Sequence, residues 1–158
     1  MKTIIFYATK YGAASVIAQR IADKINGAVI CNLKQAVLPP LEDFDCIIIG
    51  ASLYAGSIRK EAKDFLFKRE DILLGKKIGL FLTGIGAEGE ETFFKDNFPY
   101  DLMQKAAAKS FLGGIFDPKK AGMFERFIIR IVTKRSGYIN TINDLRIDQF
   151  VKEIKAGV

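Results

Sequence analysis

The sequence predicts a doubly wound α/β domain, a five-stranded parallel sheet with helices on both faces. Three observations carry this. Five short apolar runs of strand length alternate with segments whose apolar residues recur at helical spacing. The third run holds Cys46-Ile47-Ile48-Ile49 without polar alternation, which implies burial on both faces. Loops rich in small residues follow the first, third and fourth runs.

The elements follow in order. Lys2 to Ala8 is the first strand. From Val16 to Ile25, Val16, Ile17, Ile21 and Ile25 fall at helical spacing, with Arg20 and Lys24 opposite and Gly27 as the stop. Ala28 to Leu33 is the second strand, and Pro39-Pro40 breaks the next stretch into a loop. Asp45 to Gly50 is the third strand. Arg59 to Arg69 is a helix with Ala62, Phe65 and Leu66 inward, and Lys77 to Thr83 is the fourth strand. Thr92 to Ala108 is helical in part, interrupted by Pro99. Ser110 to Phe116 is the fifth strand, and Met123 to Arg135 is an extra helical segment. A last helix follows Asp148 as N-cap and carries Phe150, Val151 and Ile154.

A chain of 158 residues, 49% hydrophobic and 27% charged, is expected to form one domain over 1–158. Its apolar start reads as a strand rather than a leader, and no apolar run reaches membrane-span length. Cys31 and Cys46 are isolated in apolar runs, so buried free thiols and a cytoplasmic location are expected. There is no histidine, which excludes Ser-His-Asp and Cys-His catalysis, and no metal site is expected. If the protein is an enzyme, its chemistry would belong to a bound cofactor; no catalytic side chain is assigned. A receiver domain of the same architecture would need paired acids after the first strand and an Asp ending the third. Ala8-Thr9 and Gly50-Ala51 stand there instead.

In open parallel sheets, ligands sit outside the carboxyl ends of the strands at the switch in strand order. That rule selects three loops. The first is Thr9-Lys10-Tyr11-Gly12-Ala13-Ala14-Ser15, between a strand and a helix. A helix start offers unpaired N–H groups and a positive dipole end, so this loop can cradle a phosphate. Thr9, Tyr11 and Ser15 add hydroxyls and Lys10 adds charge. Neither G-x-G-x-x-G nor a Gly-Lys-Ser/Thr loop is present. The alternative is a plain strand-to-helix turn with capping hydroxyls. The second loop is Gly50 to Ser57, where Ser52, Leu53, Tyr54, Ala55 and Gly56 are candidate ligand contacts and Tyr54 could stack on a flat ring. The third is Thr83-Gly84-Ile85-Gly86-Ala87, a source of backbone N–H groups.

Strand, Thr9-to-Ser15 loop and helix together resemble the FMN-phosphate loop of the flavodoxin family. Thr9 and Gly12 match the family pattern, whereas Tyr11 and Ala14 stand where it has Thr. Ser15 is the neighbouring hydroxyl. The resemblance implies FMN as cofactor, strand order 2-1-3-4-5, the second loop against the flavin ring and the third at its pyrimidine edge. The third loop lacks the aromatic residue often found there, which leaves one ring face open unless a later segment folds over it. Gly50-Ala51-Ser52, Gly56-Ser57-Ile58 and the stretch from Met123 to Gly137 narrow the resemblance. They are similar to the flavodoxin-domain branch that includes menaquinone-dependent protoporphyrinogen oxidases.

What this implies is an FMN redox protein with one of two jobs: electron transfer with a protein partner, or quinone-linked dehydrogenation of a porphyrinogen-like acidic small molecule. The net charge of +6 favours the second job or an acidic partner protein. A binding or scaffold domain that has lost its flavin is the alternative. Nucleic-acid binding rests on charge alone and is not expected. Segment 123–135 carries Phe124, Phe127, Ile128, Ile131 and Val132 on one helical face and Arg126, Arg130 and Lys134 every fourth residue. Two readings stand: a core-packed helix with a solvated basic face, or a docking surface for anionic lipid at the inner face of the membrane or for an acidic substrate. Ile129 falls off the main apolar face.

Overall fold

The structure, a computed structural model, describes residues 1–86 and 88–156. In chain order its elements are β1 (Thr3–Ala8), α1 (Ala13–Lys24), β2 (Val29–Asn32), β3 (Cys46–Tyr54), β4 (Ser57–Ile58), α2 (Lys60–Lys68), α3 (Glu70–Leu74) and β5 (Lys77–Thr83). There follow α4 (Glu90–Asn97), α5 (Tyr100–Lys105), β6 (Ala108–Phe111), β7 (Ile115–Phe116), α6 (Met123–Thr133), β8 (Ile139–Asn140) and α7 (Asp144–Lys155).

The main sheet runs β2-β1-β3-β5-β6, all parallel, with the short β4 antiparallel to the end of β3. The five parallel strands therefore have the expected order. Because strand side chains alternate in direction, each strand feeds two cores. Ile4, Phe6, Ile47, Ile49, Ile78, Leu80 and Leu82 pack against α2 to α5 through Phe65, Leu66, Leu73, Phe94 and Leu102. Ile5, Cys46, Ile48 and Phe81 face the other way, against Ile17 and Ile21 of α1 and Phe150 and Ile154 of α7. Two glycines set the close packing of this second layer. A Cβ on Gly50 would lie 1.9 Å from the Phe81 ring, and one on Gly79 would lie 2.6 Å from Ile154.

Several boundaries differ from the sequence expectation, each for a local reason. α1 begins at Ala13, because Gly12 in the left-handed region turns the chain straight into the helix; Val16 is then on its outer face. β3 runs four residues past Gly50 to Tyr54. Ala55 and Gly56, both at positive φ, then reverse the chain into β4, the geometry of a two-residue hairpin turn. The second loop is thus largely strand and hairpin. The predicted 59–69 helix ends at Lys68, and a separate turn of helix, α3, follows. Pro99 caps α5 rather than interrupting one helix.

The fifth strand is Ala108–Phe111, not Ser110 to Phe116. Gly113, at φ +84°, ends its course, and Ile115–Phe116 leaves the main sheet to pair antiparallel with Ile139–Asn140. The last helix starts at Asp144, with Asn143 as N-cap accepting from the Arg146 N–H; Asp148 lies inside it, paired with Lys24. Asn143 ends the Asn140-Thr141-Ile142-Asn143 stretch and supplies the side-chain oxygen that Asp148 was expected to give. Both cysteines are buried free thiols, as expected.

Candidate functional site

Parallel strands β1, β3 and β5 are neighbours, so their carboxyl ends deliver three chain segments to one place. Ala8 lies beside Ala51, and Ser52 beside Thr83. Side-chain hydroxyls then join them. The Ser52 hydroxyl lies 3.0 Å from that of Thr83 and donates to Thr9 Oγ1 at 3.4 Å. Thr9 Oγ1 also accepts from the Gly12 N–H at 2.9 Å. Buried, linked hydroxyls of this kind fix loop positions. The sequence placed Thr9, Ser52 and Thr83 at one site; the chain of bonds between them required the register.

In the first loop, Gly12 holds φ +91°, a conformation that side chains resist. No side chain caps α1, and no acid sits in its first turn. Its leading N–H groups and dipole end remain available to an anion. Ala13 and Ala14 are buried, and the Ala14 methyl belongs to the core under α1. Ala14 can therefore offer only its backbone, which accounts for the missing hydroxyl. Ser15 is half-buried in the first turn of α1 and outside the cavity lining.

A cavity of about 400 Å³ opens beside these loops. Lys10, Tyr11, Ala13, Ser52, Leu53, Tyr54, Ala55, Gly56, Thr83, Gly84, Ile85 and Gly86 all line it. Thr9, Gly12 and Ala14 stand behind that lining as supports, and Ala87 lies outside the described residues. Tyr54 is about half exposed, and the Lys10 ammonium stands 3.7 Å over its ring centre.

Residues that sequence reasoning missed hold the walls. Buried Asn97 on α4 clamps the β3–β4 hairpin: its Oδ1 accepts from the Ile58 N–H at 2.8 Å, and its Nδ2 donates to the carbonyls of Gly56 and Phe93 at 2.9 Å. An Asn in an amphipathic stretch carries no sequence signal of such a role. The third loop is fixed by the Gly84 N–H donating to Gly113 O, and Gly114 packs on the Gly84 carbonyl so closely that a Cβ would lie 2.5 Å from it. Phe93, half-buried, lines the cavity, whereas Phe94 is core.

The largest difference from expectation is α6. No residue of this helix is buried. It lies across the mouth of the cavity, which Phe124, Glu125, Ile128, Ile129 and Val132 help to line. Ile129, off the predicted apolar face, packs on the small cluster of Phe116, Ala121 and Ile139. Glu125 reaches the first loop, where its carboxylate accepts from the Lys10 ammonium and the Tyr11 hydroxyl. The later segment thus folds over the site that the third loop left bare.

The strand order, with three loops meeting at the switch point beside the uncapped start of α1, is that of the flavodoxin class. The flavodoxin-domain family model matches residues 4–141, and the chain belongs to that family. It is 22% identical to protoporphyrinogen IX dehydrogenase [quinone] of Escherichia coli K12, over 87% of this chain and 81% of that protein. Its structure is similar to that of oxidised flavodoxin 1 from Bacillus cereus, with TM-score 0.60, 17% identity and coverage of 100% and 99% of the two chains. It is also similar to the Fusobacterium nucleatum flavodoxin bound to flavin mononucleotide, with TM-score 0.57, 20% identity and 98% coverage of each. Among the described residues no cluster could hold a metal ion.

Proposed function

We propose that the protein is an FMN-dependent redox protein of the flavodoxin family that exchanges electrons with a small apolar acceptor such as a quinone, oxidising a porphyrinogen-like acid. Three features support FMN. The uncapped start of α1 with Lys10 and Tyr11 suits a phosphate, since both side chains already donate to the Glu125 carboxylate. The cavity has the size of a small-molecule site and is walled mainly by apolar groups. Family membership and the FMN-bound flavodoxin neighbour point the same way.

FMN, once bound, supplies reversible hydride and electron chemistry. This chain's residues hold and orient. The α1 N–H groups, Lys10 and Tyr11 would take the phosphate, Tyr54 would lie against the ring, and the Thr83–Gly86 backbone would meet the polar ring edge. The Ser52–Thr9–Thr83 hydroxyl chain keeps the three segments in register. α6, lying across the mouth, would shield the ring from bulk water.

The observation favouring a small apolar partner over a protein partner is α6 itself. A carrier that docks proteins needs its ring edge open, whereas here Phe124, Ile128 and Val132 cover the mouth with hydrocarbon. The named activity of the E. coli relative supports the same choice. Lysines and arginines around the roof suit carboxylates on the substrate. The test is an anaerobic assay of FMN-loaded protein with protoporphyrinogen IX and a menaquinone analogue. Turnover that needs both is expected. FMN-loaded protein that neither oxidises the porphyrinogen nor reduces the quinone, yet accepts electrons from a flavodoxin reductase and passes them to a protein acceptor, would instead be a carrier.

A further inference from the structure

We propose that the outer face of α6 docks the protein onto an anionic lipid surface. The helix separates into rows at i, i+4 spacing, which share a face. Glu125, Ile129 and Thr133 form the inward row and are its partly covered residues. Met123, Phe127 and Ile131 form an outward row, 86%, 61% and 61% exposed. Phe124, Ile128 and Val132 lie beside it and are also exposed. On the other flank run Arg126 and Arg130, continued by Lys134 at the helix end. Isolated exposed apolar residues are ordinary, but a contiguous set on one short helix marks a contact surface.

Charge selects the occupant. Residues 119–135 carry Lys119, Lys120, Arg126, Arg130, Lys134 and Arg135, and their one acid, Glu125, is turned inward onto Lys10. Among the described residues, Arg126, Arg130, Lys134 and Arg135 enter no ion pair. A second copy meeting this face about a two-fold axis would set those cations against themselves with no acid between. An anionic bilayer supplies what both halves of the face lack, phosphates for the basic flank and hydrocarbon for the apolar rows, at adjacent depths. At 11 residues the helix cannot cross a bilayer, and no helix of the described residues is long and apolar enough to do so. It would lie in the interface plane, with the cavity mouth beside the lipid. Docking rests on Met123, Phe127 and Ile131 with the basic flank, none of which lines the cavity, so lipid binding and flavin binding succeed or fail separately.

The test is co-sedimentation of the full chain with vesicles of phosphatidylcholine alone or mixed with phosphatidylglycerol. The wild type should pellet with the anionic vesicles, less so as salt rises, and stay in solution with phosphatidylcholine. Phe127→Ser/Ile131→Ser, which spares the cavity lining, should weaken binding by about tenfold or more. Arg126→Gln/Arg130→Gln/Lys134→Gln should do the same and decides the matter if the apolar variant fails to fold by circular dichroism. Wild type left in the supernatant with both vesicle types overturns the proposal. So does either folded variant pelleting like wild type. A wild-type dimer in sedimentation equilibrium that Phe127→Ser/Ile131→Ser dissolves makes the face a self-contact. Retention on polyglutamate without vesicle binding makes it a site for acidic protein. Both results overturn the lipid assignment.

Discussion

The Glu125 carboxylate of α6 is held by the Lys10 ammonium of the first loop, with both side chains largely covered. This contact ties the roof to the cradle and places an acid where an incoming phosphate would seek the same donors. Removing that charge should tighten FMN binding. For Glu125→Gln, loss of one unit charge at contact range is worth ~1 kcal/mol at the dielectric of bulk water, about fivefold in Kd, and more where the site is less solvated. Fluorescence titration of FMN with apoprotein checks it; weaker binding by the variant would mean that Glu125 organises Lys10 for the phosphate instead.

Tyr54 ends β3 with its ring beside the cavity and Lys10 over it. Tyr54→Ala should weaken FMN binding by about 1 kcal/mol, the scale of one aromatic stack, while Tyr54→Phe leaves it near wild type. Titrations of the two variants side by side separate ring stacking from the hydroxyl.

Gly114 lies outside every predicted site segment, yet its Cα faces the Gly84 backbone. Gly114→Ala must push the third loop away and should cost about 1–3 kcal/mol of stability, as overpacking does. It should also loosen FMN. Gly137→Ala, where an added Cβ meets nothing within 4 Å, is the control and should be neutral. Denaturant unfolding and FMN titration of both variants give the comparison.

Burial pushes the Cys46 thiol up to about 11, from an ordinary value of 9.0. Neither Cys46 nor Cys31 should react with a thiol reagent at pH 8 until the chain unfolds, when both should. The linkage has a defined sign. Between pH 9.0 and about 11 the native state keeps a proton on Cys46 that the unfolded chain releases. Stability is therefore lost as pH rises through that window. Cys46→Ala should show a shallower loss over the same range, measured by denaturant midpoint.

Most of the fold was legible because burial on both faces writes itself as unbroken apolar runs. Cys46-Ile47-Ile48-Ile49 gave a central strand, and the Lys77–Thr83 strand fell on its predicted bounds. The end of the fifth strand was not legible. Ile115 and Phe116 are as apolar as Phe111, and only the backbone at Gly113 shows that they leave the sheet. The loop residues that meet at the cavity were legible from the switch-point rule, since strand ends must converge there. Ala14 was legible as a departure from the family pattern, but its place in the core was not. Periodicity set Ile129 off the main apolar face of α6 as a second contact, and Ile129 is the residue that packs on the Phe116, Ala121 and Ile139 cluster; the core-packed reading of the helix fails because its main apolar face stays exposed.

Whether three strand ends and the start of α1 form an FMN site is decided by purifying the protein, recording its visible spectrum and titrating FMN against the apoprotein. A yellow protein with flavin absorption, or saturable quenching of FMN fluorescence at one FMN per chain, is the result predicted. A colourless, folded protein that leaves FMN fluorescence unchanged at excess concentration would contradict it and leave a flavodoxin fold that has lost its flavin.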